Sequence, residues 1–161
     1  MKLIDEILSN QNIEMAIRKV KSNKGAAGID KIPVERITAI FQKNSEQIKS
    51  SIRNMAYRPL PVRRVYIPKP NGKKRPLGIP IVVDRVIQQA ISQKLSEIFD
   101  SSFSQHSYGF RPKRRAQQAV IKLLEYINNE YTYIVDVDLE IFFDNIPQDK
   151  LMFLVHGSCE D

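Results

Sequence analysis

The stretch Tyr66-Ile67-Pro68-Lys69-Pro70-Asn71-Gly72-Lys73-Lys74-Arg75-Pro76-Leu77-Gly78-Ile79-Pro80 holds two short arms around a turn signal. Val65 and Ile67 are β-branched, and the Asn71-Gly72 pair tolerates the positive φ that a tight hairpin turn demands. Residues 63–81 therefore read as a β-hairpin. Its prolines cannot donate to a ladder, which keeps it at a sheet edge, and its charged residues are all basic.

Helical patterns flank the hairpin. Asn12 to Lys21 places Ile13, Ile17 and Val20 at helical spacing, and Lys24-Gly25-Ala26-Ala27-Gly28-Ile29-Asp30 breaks that pattern. Pro33 opens a second helix with Val34, Ile37, Ile40 and Phe41, later Ile48, Ile52 and Met55, on one side, and it stops before Pro59. After Pro80, residues Val83, Ile87, Ala90, Ile91, Leu95 and Ile98 give an amphipathic helix ending near Asp100. A serine- and aromatic-rich loop runs from Ser101 to Pro112. A fourth helix, Ala116 to Asn128, turns Ala119, Val120, Leu123, Leu124 and Ile127 inward; Tyr131 to Leu139 follows as a strand, and Pro147 starts a last helix. The fold class is α/β (α+β), with helices around a small antiparallel sheet.

Charge is segregated along the chain. Arg58 to Val83 holds seven basic residues and no acidic one, Ser101 to Leu124 five more and none acidic, and Glu130 to Asp161 eight carboxylates against Lys150 alone. Basic tracts attract phosphates and clustered carboxylates attract divalent cations, a combination that points to phosphate chemistry on nucleic acid. The net charge of +7 agrees with a polyanionic partner. Cys159 is the single cysteine, so no disulfide framework or cysteine-based zinc site forms within one chain, and a reducing, intracellular (cytoplasmic) setting is expected. No apolar run approaches the roughly 20 residues a membrane span needs, and no membrane partner is expected.

Tyr133-Ile134-Val135-Asp136-Val137-Asp138-Leu139-Glu140-Ile141-Phe142-Phe143-Asp144 places four carboxylates within residues 136–144. Period-two geometry puts Asp136 and Asp138 on one strand face, where two ionised carboxylates need a cation, a basic partner or water. Both a metal site and a strand end emerging into solvent satisfy that requirement. Mg²⁺ prefers octahedral oxygen coordination, so a metal site here also needs ligands from elsewhere in the chain.

Asp138 followed by Phe143-Asp144 resembles the first catalytic motif of reverse transcriptases. The stretch from Tyr66 to Pro80, continued by Asp84-Arg85-Val86-Ile87-Gln88-Gln89-Ala90-Ile91, is similar to the fingers motif of group II intron-encoded enzymes. Ser107-Tyr108-Gly109-Phe110-Arg111-Pro112 resembles the next motif, and the Lys24 to Asp30 loop is similar to that family's N-terminal extension. Four motifs in order cover roughly residues 10 to 155.

The resemblance implies an N-terminal extension at 1–30, fingers at 31–130, the start of a palm at 131–156 and a tail at 157–161 that departs from the family's helical continuation. It implies RNA-directed DNA synthesis on an RNA template and DNA primer, with dNTPs as substrates, two Mg²⁺ ions as cofactors and intron RNA as a partner. Asp138 and the backbone carbonyl of Leu139 would hold metal; Lys69, Arg75 and Phe143 would contact the dNTP, with Phe143 as a gate against the ribose 2′-hydroxyl. Arg63, Arg64, Arg111, Arg114 and Arg115 would hold RNA. Asp136, Asp144, His106 and His156 receive no role. The family's later Tyr-Ala-Asp-Asp signature is not in these residues, so the chain alone is expected to be inactive and to expose apolar palm surface that favours a homodimer. Two other readings are a non-catalytic intron-RNA-binding module and a metal-dependent nuclease; the latter leaves the basic hairpin, the Gly109-Phe110-Arg111-Pro112 loop and Phe143 unexplained.

Overall fold

The computed structural model describes residues 2–68, 70, 72–139 and 142–159. They form two compact units, residues 1–94 and 95–161.

The first unit is built on three long helical segments. α1 (Leu3–Ile7) leads into α2 (Asn10–Ser22), where the Ser9 side chain accepts from the Asn12 N–H at 3.3 Å and so caps the helix. α3 (Ile37–Arg53) follows a single 3-10 turn, Val34–Arg36, with Pro33 at its cap position. α4 (Val82–Phe99) begins at the predicted place and leads into a 3-10 turn at Asp100–Ser102. Ile13, Ala16, Ile17 and Val20 of α2 pack with Ile37 and Phe41 of α3 and Val82, Val86 and Ala90 of α4 in one buried core. These are the spacings of three, four and seven that place side chains on one helix face. Asn12 is buried at the α2–α4 contact and is fully used: its amide donates to the Ile7 carbonyl at 2.8 Å and the Ala90 carbonyl at 3.0 Å, and its Oδ1 accepts from Gln93 at 2.7 Å.

The hairpin lies in the same unit. β1 (Arg63–Pro68) and β2 (Lys74–Ile79) pair antiparallel, with Arg63 opposite Ile79 and Pro68 opposite Lys74. Gly72 supplies the positive φ, 77°, that the turn needs; Asn71, the other half of the turn signal, lies outside the described residues.

The second unit contains α5 (Ala116–Asn128), which has the expected boundaries, a 3-10 turn at Phe142–Asp144 and α6 (Gln148–Ser158). Three expectations are corrected here. The face of α5 predicted to turn inward is solvent-exposed, with Leu124 52% accessible, because no described element of this unit covers it. Residues 131–139 form no strand: their apolar side chains Ile134, Val135 and Val137 are exposed, and a strand without a partner leaves its N–H and C=O groups unpaired, so propensity alone does not hold it. Helix α6 continues through Gly157 and Ser158, so the departure expected at 157 is not seen there. Among the described residues, no helix is long and apolar enough to cross a membrane.

Candidate nucleic-acid interface

The hairpin register sorts the basic residues by face. Directly opposed residues share a face and neighbours along a strand alternate. Arg63, Val65 and Ile67 thus lie on one face with Arg75, Leu77 and Ile79, while Arg64, Tyr66 and Pro68 lie on the other with Lys74, Pro76 and Gly78. Arg63 and Arg64 are adjacent in sequence but present opposite sides. On the first face Arg75 stands opposite Ile67, roughly 13 Å along the ladder from Arg63 at 3.3 Å per residue. On the second, Arg64 and Lys74 flank the exposed ring of Tyr66, cations beside an aromatic surface that suits both phosphate and base. Tyr66 and Lys74 were not among the residues singled out from the sequence, although period-two reading outward from the Asn71-Gly72 turn gives both. Lys69 lies outside the described residues.

The roots of the hairpin are pinned. On the incoming side, Asp84, 3% exposed in the first turn of α4, accepts a hydrogen bond from the Tyr57 hydroxyl and another from the Leu60 N–H at 3.3 Å. Burial, and then the Asp84 hydrogen bond, push the Tyr57 hydroxyl's pKa up, so it stays protonated and donates. On the outgoing side, Gly28 comes so close to the Pro80–Ile81 backbone that a Cβ there would sit 2.7 Å from the Ile81 Cα. Arg85, the next residue of α4, donates from Nη2 to the Ala26 carbonyl at 2.8 Å, and a side chain at Gly25 would collide with its guanidinium. Burial lowers the Arg85 pKa and the nearby Asp30 opposes that shift.

In the second unit the loop arginines differ. Arg111 is 7% exposed in its side chain: Nε donates to Asp100 Oδ1 at 2.8 Å, Nη2 to the Asp100 carbonyl at 2.8 Å, and Nη1 to the carbonyls of Ser104 at 2.7 Å and Ser107 at 3.2 Å. Its guanidinium also lies over the Phe103 ring. Most of its donors are therefore engaged by the protein, and an RNA contact would have to displace them. The hydrogen bond from Arg111 holds the Asp100 carboxyl below its usual range. Arg114 lies over the Tyr108 ring at 5.7 Å, and Arg115 is exposed at the start of α5, its N–H bonded to Gln118 Oε1 at 2.9 Å. Arg115 is more exposed than Arg111, and Arg114 is half-buried.

Asp138 is exposed and Leu139 is 62% accessible, both within residues 131–139. Phe143 is 87% exposed, its ring edge-on to Phe142 with centroids 5.5 Å apart, so it is not a core side chain here. No group of three His, Cys, Asp or Glu residues among the described residues is placed to hold a metal ion. Asp138 and Asp136 alone do not fit an octahedral Mg²⁺.

A family model described as reverse transcriptase (RNA-dependent DNA polymerase) matches residues 67–157. Protein YkfC of Escherichia coli strain K12 is 33% identical over 99% of this chain and 44% of its own length. The group II intron-encoded protein LtrA of Lactococcus lactis subsp. cremoris is 35% identical over 91% of the chain and 24% of its own length. A putative COX1/OXI3 intron 2 protein of Saccharomyces cerevisiae is 31% identical over 100% of the chain and 18% of its own length. The chain spans less than half the length of these relatives.

Proposed function

Because the chain belongs to the reverse transcriptase (RNA-dependent DNA polymerase) family, with group II intron-encoded protein among its relatives, we propose that it forms the fingers and the first palm motif of an enzyme that copies RNA into DNA. The observation that carries this reading is the basic hairpin, whose turn and second strand lie inside the family match and which lines up Arg63 with Arg75 on one face and Arg64 with Lys74 on the other. Residues 1–30 are the N-terminal extension, 31–130 the fingers and 131–156 the start of the palm.

Arg75, with Lys69, grips the triphosphate of the incoming dNTP: a guanidinium makes bidentate phosphate contacts and an ammonium acts as a point charge. The exposed Phe143 ring is available as the gate against a 2′-hydroxyl. Arg63, Arg64, Arg114 and Arg115 hold template or intron RNA, while Arg111 shapes the loop that carries the latter two. Asp138 and the Leu139 carbonyl are this chain's share of the metal ligands; Mg²⁺, when bound, supplies charge stabilisation for nucleotidyl transfer. DNA primer and dNTPs are the remaining partners, and the exposed apolar faces of α5 and α6 favour self-association, which sedimentation at several concentrations detects.

The test is RNA binding by the chain across salt concentrations. The two basic tracts hold twelve cations, seven and five. If half of them meet phosphate, affinity falls by about 10³-fold or more between 50 and 200 mM salt, by analogy with duplex DNA; a flat profile would end the reading. Binding without any polymerase activity in the longer protein would instead favour a non-catalytic intron-RNA module.

A further inference from the structure

The first turn of α4 holds two separate segments through neighbouring side chains. Asp84 binds Tyr57 and the Leu60 N–H, on the linker that enters the hairpin, and Arg85 binds the Ala26 carbonyl, in the loop of residues 24–30. The 24–30 loop also meets the hairpin's exit, where Gly28 lies against Pro80 and Ile81, and Val62 of the entering linker lies against Gly78 of β2. An isolated two-stranded hairpin is marginally stable in water, and both strands here are exposed along nearly their whole length. Its orientation therefore depends on its roots.

We propose that Asp84 is a positioning residue for the hairpin, and that Asp84 and Arg85 together make the start of α4 a junction that holds the hairpin and the 24–30 loop as one rigid polyanion clamp. Asp84 does this through geometry and not charge. A carboxylate beside a polyanion site repels it, yet here the carboxylate is buried, both of its oxygens accept from the hairpin's linker, and neither faces a ligand. The RNA part of this inference rests on the proposed function; the structural part does not.

Hydrogen exchange on the whole chain separates the two. In Asp84→Asn only one of the two acceptor oxygens remains and the charge is lost, so the side chain can no longer accept from both the Tyr57 hydroxyl and the Leu60 N–H, and in Tyr57→Phe only a hydroxyl is lost. In both variants amides of residues 63–67 and of residues 74, 75 and 77–79 should exchange about tenfold faster or more, the size expected from losing one hydrogen bond to a charged group. Amides of α2 and of Val86 to Ser92 should hold their rates. Arg85→Lys should release residues 25–30 and, through Gly28, the exit of β2.

Unchanged hairpin exchange in both Asp84→Asn and Tyr57→Phe overturns the proposal, and so does a rise shared equally by the core helices. A second arm measures binding of a polyuridylate oligonucleotide at low salt. Removing one negative charge should by electrostatics alone tighten binding; loss of positioning weakens it, and several-fold weakening with an unchanged salt slope is the expected result. Tighter binding by Asp84→Asn overturns the positioning role. If the wild-type chain binds no polyuridylate at all, the RNA reading fails while the exchange arm still decides whether Asp84 roots the hairpin.

Discussion

Helices α2 and α5 are both thirteen residues long with apolar side chains at helical spacing, and they have opposite fates. In α2, Ile13, Ala16, Ile17 and Val20 are buried against α3 and α4; in α5, Val120, Leu123, Leu124 and Ile127 remain exposed. The difference lies in the partners, since periodicity specifies a face and a neighbouring element is needed to bury it. Residues 1–94 hold a complete small core, whereas the described residues of 95–161 hold chemistry and loop structure without one.

The largest way to break this contrast is a cavity in the first unit. Ile37 is fully buried, and Ile37→Ala should cost about 2–5 kcal/mol of unfolding free energy in urea denaturation. Asn12→Ala should cost about 1–3 kcal/mol, because the Ile7 and Ala90 carbonyls lose their shared donor in a buried setting. A cost near zero for Ile37→Ala would mean that this core is not the source of stability, and one for Asn12→Ala that the α2–α4 contact is not.

The second unit should respond to pH. Asp100 has a folded pKa depressed by Arg111, so its contribution is present above the unfolded value near about 3.9 and is lost as pH falls through the lower folded value. Amide shifts of residues 100–111 should move in that acidic window, and Arg111→Lys, which cannot span the Asp100, Ser104 and Ser107 acceptors together, should move the transition up toward the ordinary carboxyl range. The smallest effect is Leu124→Ala: with the side chain half exposed, the change should stay within about 0.5 kcal/mol. A large loss there would show that α5 is buried in solution, by self-association or otherwise.

The legible parts of the sequence were those that local chemistry decides. The glycine-containing turn placed the hairpin, the proline and apolar spacing placed α4, and the limits of α5 agree with its pattern to the residue. Burial on α5 and strand formation at 131–139 depend on contacts distant in sequence, and no periodicity reports them. The site was legible as a set of motifs and less so as geometry. That Arg63 and Arg64 face apart follows from period two, but the engagement of Arg111 by Asp100 and of Asp84 by Tyr57 joins residues 11 and 27 positions apart, respectively, across irregular backbone.

The most direct measurement is RNA-templated primer extension by a polypeptide that carries this chain together with the further length its relatives have, compared with the same polypeptide bearing Asp138→Ala and with the 161-residue chain alone. The expected result is DNA synthesis by the longer wild type only, with Phe143→Ala retaining dNTP incorporation while admitting ribonucleotides. Sustained synthesis by the 161-residue chain, or undiminished synthesis by Asp138→Ala, would contradict the assignment of the active site.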